Sequence, residues 1–545
     1  FLITADGAAA LRTAEGDTPF ATYIPQQWYI QRLDYDLTKG EYSIVLDCYY
    51  ASGVTRTLSL NAGETFEKIV FQGESTVPSR FCLDSVRLFT AEGKRRAEAL
   101  PLGSLSRKIR WETPLAGPTP AAIIYPSEME GGWECARKLR DALEAKLGKR
   151  LACLSDRTVT DADTWLLKDR YLSIPMIALG NAADSRVIYA LSTRFLARSN
   201  HVWPGRDRFC NRAVLEPFRK DVNHILLEAS TVGGLRAAVD SFGARIASLE
   251  GEAFAVPYFR DLGAATGEWK EKLFKRSGLD LSKPVEDIKE QILRKYGKTV
   301  IVRPGGVYCY PAWDWLNGYS VEAAKYASAV LLILLDRLGP DRFYGGHYNF
   351  DRAFKAWQIC FTSGAVPEKI INRAEAAMVQ QAAYPQDYHA SSLRTHAGKR
   401  IARHADRHMI SSLSNYLCGT DYVLSHCRLN PMTEAMVTEY DRAYRRIARR
   451  FIDSFRCNNV TSESGDSAVC VLNMMALTGN LEYVRSGTLA RAVDNLIASV
   501  NNFGSYTGEG PYIGSYTLTS RCTGKSLANA AAFYYRDPRY RWVSQ

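Results

Sequence analysis

The chain has 545 residues, 46% hydrophobic and 23% charged, and its 69 Lys and Arg outnumber 58 Asp and Glu to give a net charge of +11. This composition excludes a disordered chain. The lack of any run of about eighteen apolar residues excludes a helical membrane span, and the length points to roughly three or four domains of about 150 residues each.

A basic balance favours anionic partners. The sequence carries no zinc-finger spacing, no aromatic RNA-binding signature and no basic arm, so nucleic acid is not expected. An anionic polysaccharide is expected instead, because 30 Tyr and 10 Trp suit stacking on sugars. The 12 Cys lie far apart without a C-x-x-C pair, which leaves zinc unsupported and makes disulfides conditional on export. No signal peptide is visible, and the chain opens at Phe1 without a methionine, as a processed or trimmed product would.

From Thr18 to about Thr90 the sequence alternates apolar and polar residues in short runs broken by glycine. In 41–50, Tyr42, Ile44, Leu46 and Cys48 share one face, and 57–61 and 81–89 repeat the pattern. Several such strands predict a β-sandwich over 1–117. The ending at 81–89 resembles the closing strand of jelly-roll, carbohydrate-binding-like modules.

Between 119 and 249 the period changes. Strands are predicted at 121–125, 150–154, 174–179 and 224–229, with helices at 131–147, near 183–197 and at 232–249. Such alternation implies a small α/β domain over 118–265. The turn at 230–239 has a glycine pair opening a helix but neither nucleotide-binding spacing. The segment looks like the small α/β domain that precedes the catalytic part of various carbohydrate-active enzymes.

A charged linker is expected over 266–310. From 311 to 545 the pattern is helical throughout, with helices at about 320–338, 349–361, 367–382, 401–427, 431–456, 464–478, 481–500 and 523–535. Helices of this length in hairpin order predict antiparallel pairs, arranged as an (α/α) toroid. The last helix lacks a partner within the chain, so further sequence is expected downstream.

The helix expected at 401–427 is the most informative. His404, His408, Ser411, Asn415 and Gly419 follow at steps of four, three, four and four and fall on one face, while apolar residues cover most of the rest. Such a helix is buried and shows a narrow polar stripe to an internal cleft, or else its histidines bond neighbouring carbonyls. Six of the eight histidines lie between His347 and His426. Three polar segments, 344–352, 456–467 and 501–516, join helices and would lie on the rim of a toroid.

Here the chain resembles a known family. The helix pairs, the Asn-Asn segment leading into a helix that ends at 476–480, the Gly- and Tyr-rich stretch at 501–516 and the final 537–540 look like the toroid of heparinase II/III-like and alginate-lyase-like polysaccharide lyases. The resemblance covers about 300–545. Where those lyases commonly have Asn followed by His, this chain has Asn458, Asn459 and Val460.

The resemblance implies β-elimination on an acidic, uronate-containing polysaccharide. Such an enzyme neutralises the C6 carboxylate, removes the C5 proton and protonates the departing O4. Asn458 and Asn459 are the candidate neutralisers, and they are also well placed to cap the following helix. His404 and His408 are candidate base or carboxylate ligands, and Tyr512 and Tyr516 candidate base and acid, or packing residues. His347, Asn349, Arg407, Asn415, Glu463 and Glu509 are substrate-binding candidates on the same stripe and rims.

Two other classes stay open. An inverting glycoside hydrolase would need two carboxyl groups roughly 6.5 to 9.5 Å apart, with Glu463, Asp466, Glu509 and Asp421 as candidates. A non-catalytic glycan-binding protein would use the polar stripe only structurally. No cofactor is required by either. A divalent cation on His404 and His408 has the right i, i+4 spacing but no H-E-x-x-H pattern. An acidic polysaccharide as substrate implies a secreted or periplasmic protein.

Overall fold

The computed structural model describes the strands between 2 and 59, then, apart from single positions, 110–249, 254–263, 278–296, 321–338, 366–383, 407–455, 462–498 and 527–544. The chain is a mixed α/β, multidomain protein. It divides into two compact units, Phe1–Arg87 and Leu88–Gln545.

The first unit contains two antiparallel sheets of three strands. One is β1 (Leu2–Ile3), β2 (Ala8–Thr13) and β3 (Gly16–Thr22); the other is β4 (Tyr29–Asp36), β5 (Glu41–Cys48) and β6 (Ala51–Ser59). The run at 41–50 supplies the central strand of its sheet, with Ile44 opposite Leu33 on one side and Arg56 on the other. The strand expected at 81–89 lies outside the described residues.

The second unit opens with β7 (Glu112–Pro114) and a layered α/β region. Its six-stranded sheet runs in the order β14-β11-β12-β10-β8-β9, built from β8 (Ala122–Tyr125), β9 (Ala152–Ser155), β10 (Met176–Gly180), β11 (Phe209–Val214), β12 (His224–Ala229) and β14 (Arg260–Asp261). Strands β12, β10, β8 and β9 are parallel, whereas β11 pairs antiparallel with both β12 and β14. A ribbon of β7 and β13 (Ala255–Pro257) closes the region.

The parallel strands read as unbroken apolar runs because helices cover both faces. Ile123, Ile177, Leu179, Ile225 and Leu227 face the helices Gly132–Leu147 and Val232–Ala247. The alternating residues Ala122, Ile124, Met176, Ala178 and Leu226 face the helix Arg186–Thr193.

Strand β11 was not anticipated from its sequence, since Asn211 and Arg212 interrupt the apolar pattern. Both are buried and tied to long-range partners: Asn211 donates to the Ala238 carbonyl at 2.8 Å, and Arg212 Nε to Glu228 Oε2 at 2.8 Å.

From 300 onward every regular element among the described residues is a helix. Val321–Leu338, Glu368–Ala383, Arg407–His426, Pro431–Ser454 and Ser462–Thr478 match the helices read from periodicity. Two differences stand out. The stretch expected as linker contains the helix Val285–Tyr296, whose Ile288 and Ile292 are buried in the same core as Val321–Leu338. The single helix expected at 481–500 is divided at Ser486 and Gly487 into Glu482–Arg485 and Thr488–Ala498, with the Ser486 and Thr488 hydroxyls 2.9 Å apart at the break. The helix expected at 349–361 and the N-terminal turns of that at 401–427 lie outside the described residues. Among the described residues no helix is long and apolar enough to cross a membrane.

Candidate functional site

The helix Arg407–His426 carries Arg407, His408 and Asn415 of the expected site. His408 and Arg407 lie in its first turn and Glu463 at the start of Ser462–Thr478, but the side chains of all three are outside the described residues. His404, Asn458, Asn459, Tyr512, Tyr516, His347, Asn349 and Glu509 lie outside them entirely. The convergence expected of these residues on one cleft therefore falls beyond the described structure. Asn415 is described and is 1% exposed, in keeping with a buried helix.

The rest of that helix carries polar side chains into contact with its neighbours. Asp421, a carboxylate considered for hydrolysis, accepts from Arg445 Nη2 at 2.6 Å and lies 3.6 Å from Arg194 Nη2. Arg445 also donates to Asp441 Oδ2 at 2.7 Å, while the Thr420 hydroxyl donates to Asp441 Oδ1 at 2.9 Å. Burial opposes the charge on Arg445, but the two carboxylates outweigh it and hold the guanidinium above its ordinary pKa. Burial raises the pKa of Asp441 despite Arg445. A carboxylate held between two arginines is an anchor for helix packing. One turn on, the Tyr422 hydroxyl donates to Glu375 at 2.8 Å, and the His426 ring sits 4.5 Å from that of Tyr422. All three are buried in the helical core.

A more open constellation lies where the helical part meets the sheet. In a doubly wound sheet the crevice for ligands forms beyond the carboxyl ends of the strands, where the strand order reverses. Here the chain runs from β8 outward to β9, then back past β8 to β10, so the reversal falls between β8 and β10. The buried Asp156 ties the strand ends together. Its Oδ1 accepts from Ser127 N–H at 2.9 Å and its Oδ2 from Arg186 N–H at 2.8 Å. Asn181 donates to Asp184 Oδ2 at 2.9 Å and to the Ala229 carbonyl at 3.0 Å.

The C-terminal helices close this crevice. The helix over 527–535 ends at Arg536, whose φ of 58° is left-handed, and Asp537 and Pro538 open the helix Pro538–Ser544, with Asp537 Oδ1 accepting from Arg539 N–H at 2.9 Å. This sharp turn brings Arg536 and Arg541 over the strand ends. They line, with Glu128, Asp184 and Pro538, a cavity of about 190 Å³.

Arg541 donates to Asp184 Oδ1 at 3.2 Å; Arg536 donates to the Ala183 carbonyl and lies 3.9 Å from Asp184. Glu128 is bonded to Arg157. Arg186 lies over the Trp165 ring at 4.1 Å and makes no ion pair among the described residues. Burial pulls the pKa of Arg186 and of Arg536 below the ordinary arginine value, with nearby carboxylates opposing the shift in each case. Both remain cations at physiological pH. Two arginines and two carboxylates thus line the cavity. The arrangement can hold an anion and accept hydroxyl hydrogen bonds at the same time.

Of these crevice residues only those of the 537–540 run figured in the sequence reading, and as part of the family resemblance. The available signal was topological: alternating strands and helices imply a switch point, and the loops after the first and third strands are where it falls. Among the described residues, no group of three or more His, Cys, Asp or Glu side chains is arranged to hold a metal ion. Comparison with protein-family profiles, curated proteins and solved structures finds no match to the chain.

Proposed function

We propose that this chain is a polysaccharide lyase that cleaves an acidic, uronate-containing polysaccharide by β-elimination, with 311–545 as an (α/α) toroid and 1–117 as a jelly-roll-like β-sandwich. The observation that carries the reading is the succession of packed helices after a strand-rich front. Arg407–His426 packs against both Pro431–Ser454 and Ser462–Thr478, and Glu368–Ala383 against both Arg407–His426 and Pro431–Ser454. Contact with the next helix and the one after is what two concentric rings of helices require. The resemblance of the rim sequences and the net charge of +11 support an anionic polymer as substrate. A periplasmic or secreted location goes with such a substrate.

In this reading Asn458 and Asn459 neutralise the uronate carboxylate, His408 or His404 takes the C5 proton or binds the carboxylate, and Tyr512 and Tyr516 exchange protons with C5 and O4. His347, Asn349, Arg407, Asn415, Glu463 and Glu509 bind flanking sugars. The ion pairs of Asp421 count against its use in an inverting hydrolase.

The test is incubation with a panel of acidic glycans while following ultraviolet absorbance of the unsaturated product. Release of reducing ends without that absorbance would indicate hydrolysis, and no change on any glycan a binding protein. His408→Ala should lower turnover by roughly two to four orders of magnitude while changing the urea midpoint little.

A further inference from the structure

We infer that the crevice between the ends of β8 and β10, roofed by Arg536 and Arg541, binds an acidic sugar of monosaccharide size. This inference does not rest on the β-elimination reading. It stands on four observations in a different part of the molecule.

The first is place. The cavity lies at the reversal of strand order, where loops from two strands diverge and leave an opening, and its volume of about 190 Å³ suits one small ligand. The second is unspent hydrogen-bonding capacity. Arg536 directs Nη1 to the Ala183 carbonyl, and its Nε and Nη2 have no partner among the described residues. Its guanidinium lies over the Phe533 ring at 5.0 Å. A guanidinium fork held by stacking is preorganised for bidentate capture of a carboxylate.

The third observation is that Glu128 and Asp184 line the same cavity. Two carboxylates would repel a bare polyanion such as phosphate, but they accept hydrogen bonds from sugar hydroxyls. A polyhydroxylated monoanion satisfies both sets of groups. The fourth is backbone strain. Arg536 adopts a φ of 58°, a region where a non-glycine residue costs about 1 kcal/mol or more and persists where the surroundings enforce it.

Isothermal titration calorimetry of the full chain with glucuronate, galacturonate, glucose and inorganic phosphate tests the inference. Saturable one-to-one binding of a sugar acid is expected, with glucose and phosphate much weaker. Arg541→Gln and, separately, Arg536→Lys should each weaken the sugar acid roughly tenfold, with near-ultraviolet circular dichroism unchanged. Arg536→Lys keeps the charge and the chain turn but removes the fork, so it remains informative if the first variant folds poorly. The inference is overturned by no saturation with either sugar acid, by glucose or phosphate binding as tightly, or by full affinity in both folded variants.

Discussion

His224 shows how one buried side chain makes stability depend on pH. It is 1% exposed, and its Nδ1 lies 3.1 Å from the Met176 amide nitrogen and 3.0 Å from the Asn223 carbonyl oxygen. Protonation would bring a charge into the core and set an N–H against the Met176 N–H. Burial accordingly lowers the pKa from 6.5 to about 4, against a smaller opposing effect of the Asn223 carbonyl. The unfolded chain takes up a proton near pH 6.5, whereas the folded chain does so only near pH 4. The stability contributed by the neutral ring is therefore complete above about pH 6.5 and is lost as pH falls towards 4, amounting to about 3 kcal/mol. His201, lowered chiefly by burial and next by the charge of Arg541, acts in the same direction. Urea unfolding at pH 7 and at pH 4.5 should show this loss, and His224→Gln should flatten it.

Asp161, Asp280 and Asp537, whose pKa values are lowered mainly by hydrogen bonds, lose their contributions only at more acid pH. The buried residues in β11 and β12 also explain a gap in the sequence reading. Arg212 and Glu228 look like solvated charges in isolation, yet each is almost wholly buried because the other is there.

At the scale of elements, the end of helix Ser462–Thr478 is the sharpest case. Gly479 has a φ of 69°, its N–H donates to the Met475 carbonyl at 2.8 Å, and a Cβ there would stand 2.6 Å from Thr164 Cβ and 2.9 Å from Leu166 Cδ1. The glycine both ends the helix and lets it rest on the loop at 161–167 of the α/β region. Gly148, after Gly132–Leu147, has a similar φ of 63° but open space around it. Gly148→Ala should thus cost only the conformational penalty, about 1 kcal/mol, and Gly479→Ala roughly 2 kcal/mol or more because a steric term is added. Equal denaturation midpoints for the two variants would show that the 161–167 loop yields freely. Helix positions themselves were legible, because apolar residues recurring at helical spacing encode which face is buried.

The second unit is held together by an aromatic cluster between its α/β and helical parts. Phe533 stacks on Tyr189 with ring centres 3.9 Å apart, and Trp165 stacks on Tyr534 at 4.9 Å. Burial raises the Tyr189 pKa to about 12. Arg541 to Asp184 and Arg194 to Asp421 add polar ties across the same boundary. Phe533→Ala should cost about 3 to 5 kcal/mol and split the calorimetric transition of this unit into separate α/β and helical steps. Phe451→Ala, buried wholly within the helical core, should lower the helical transition without splitting it. A single, merely shifted peak for Phe533→Ala would mean that the remaining contacts, among them these polar ties and the seat of Gly479 on the 161–167 loop, suffice to couple the two parts.

The sequence by itself determined the kinds of element and their order: alternating strands at the front, strands alternating with helices in the middle, then helices to the end. Those follow from the period of apolar residues, which is a local property of the chain. The polar stripe expected from His404 to Gly419 was equally local, and of it the structure describes the side chain of Asn415, which is buried, and the partly exposed Gly419. Tertiary structure alone decided that β11 runs antiparallel around a buried ion pair, that Val285–Tyr296 is a core helix, and that Arg536 and Arg541 close over the ends of β8 and β10. Arg541 and Asp184 are 357 residues apart in the chain. No local pattern encodes such a pair, because either residue alone reads as an ordinary surface charge until folding brings the two together.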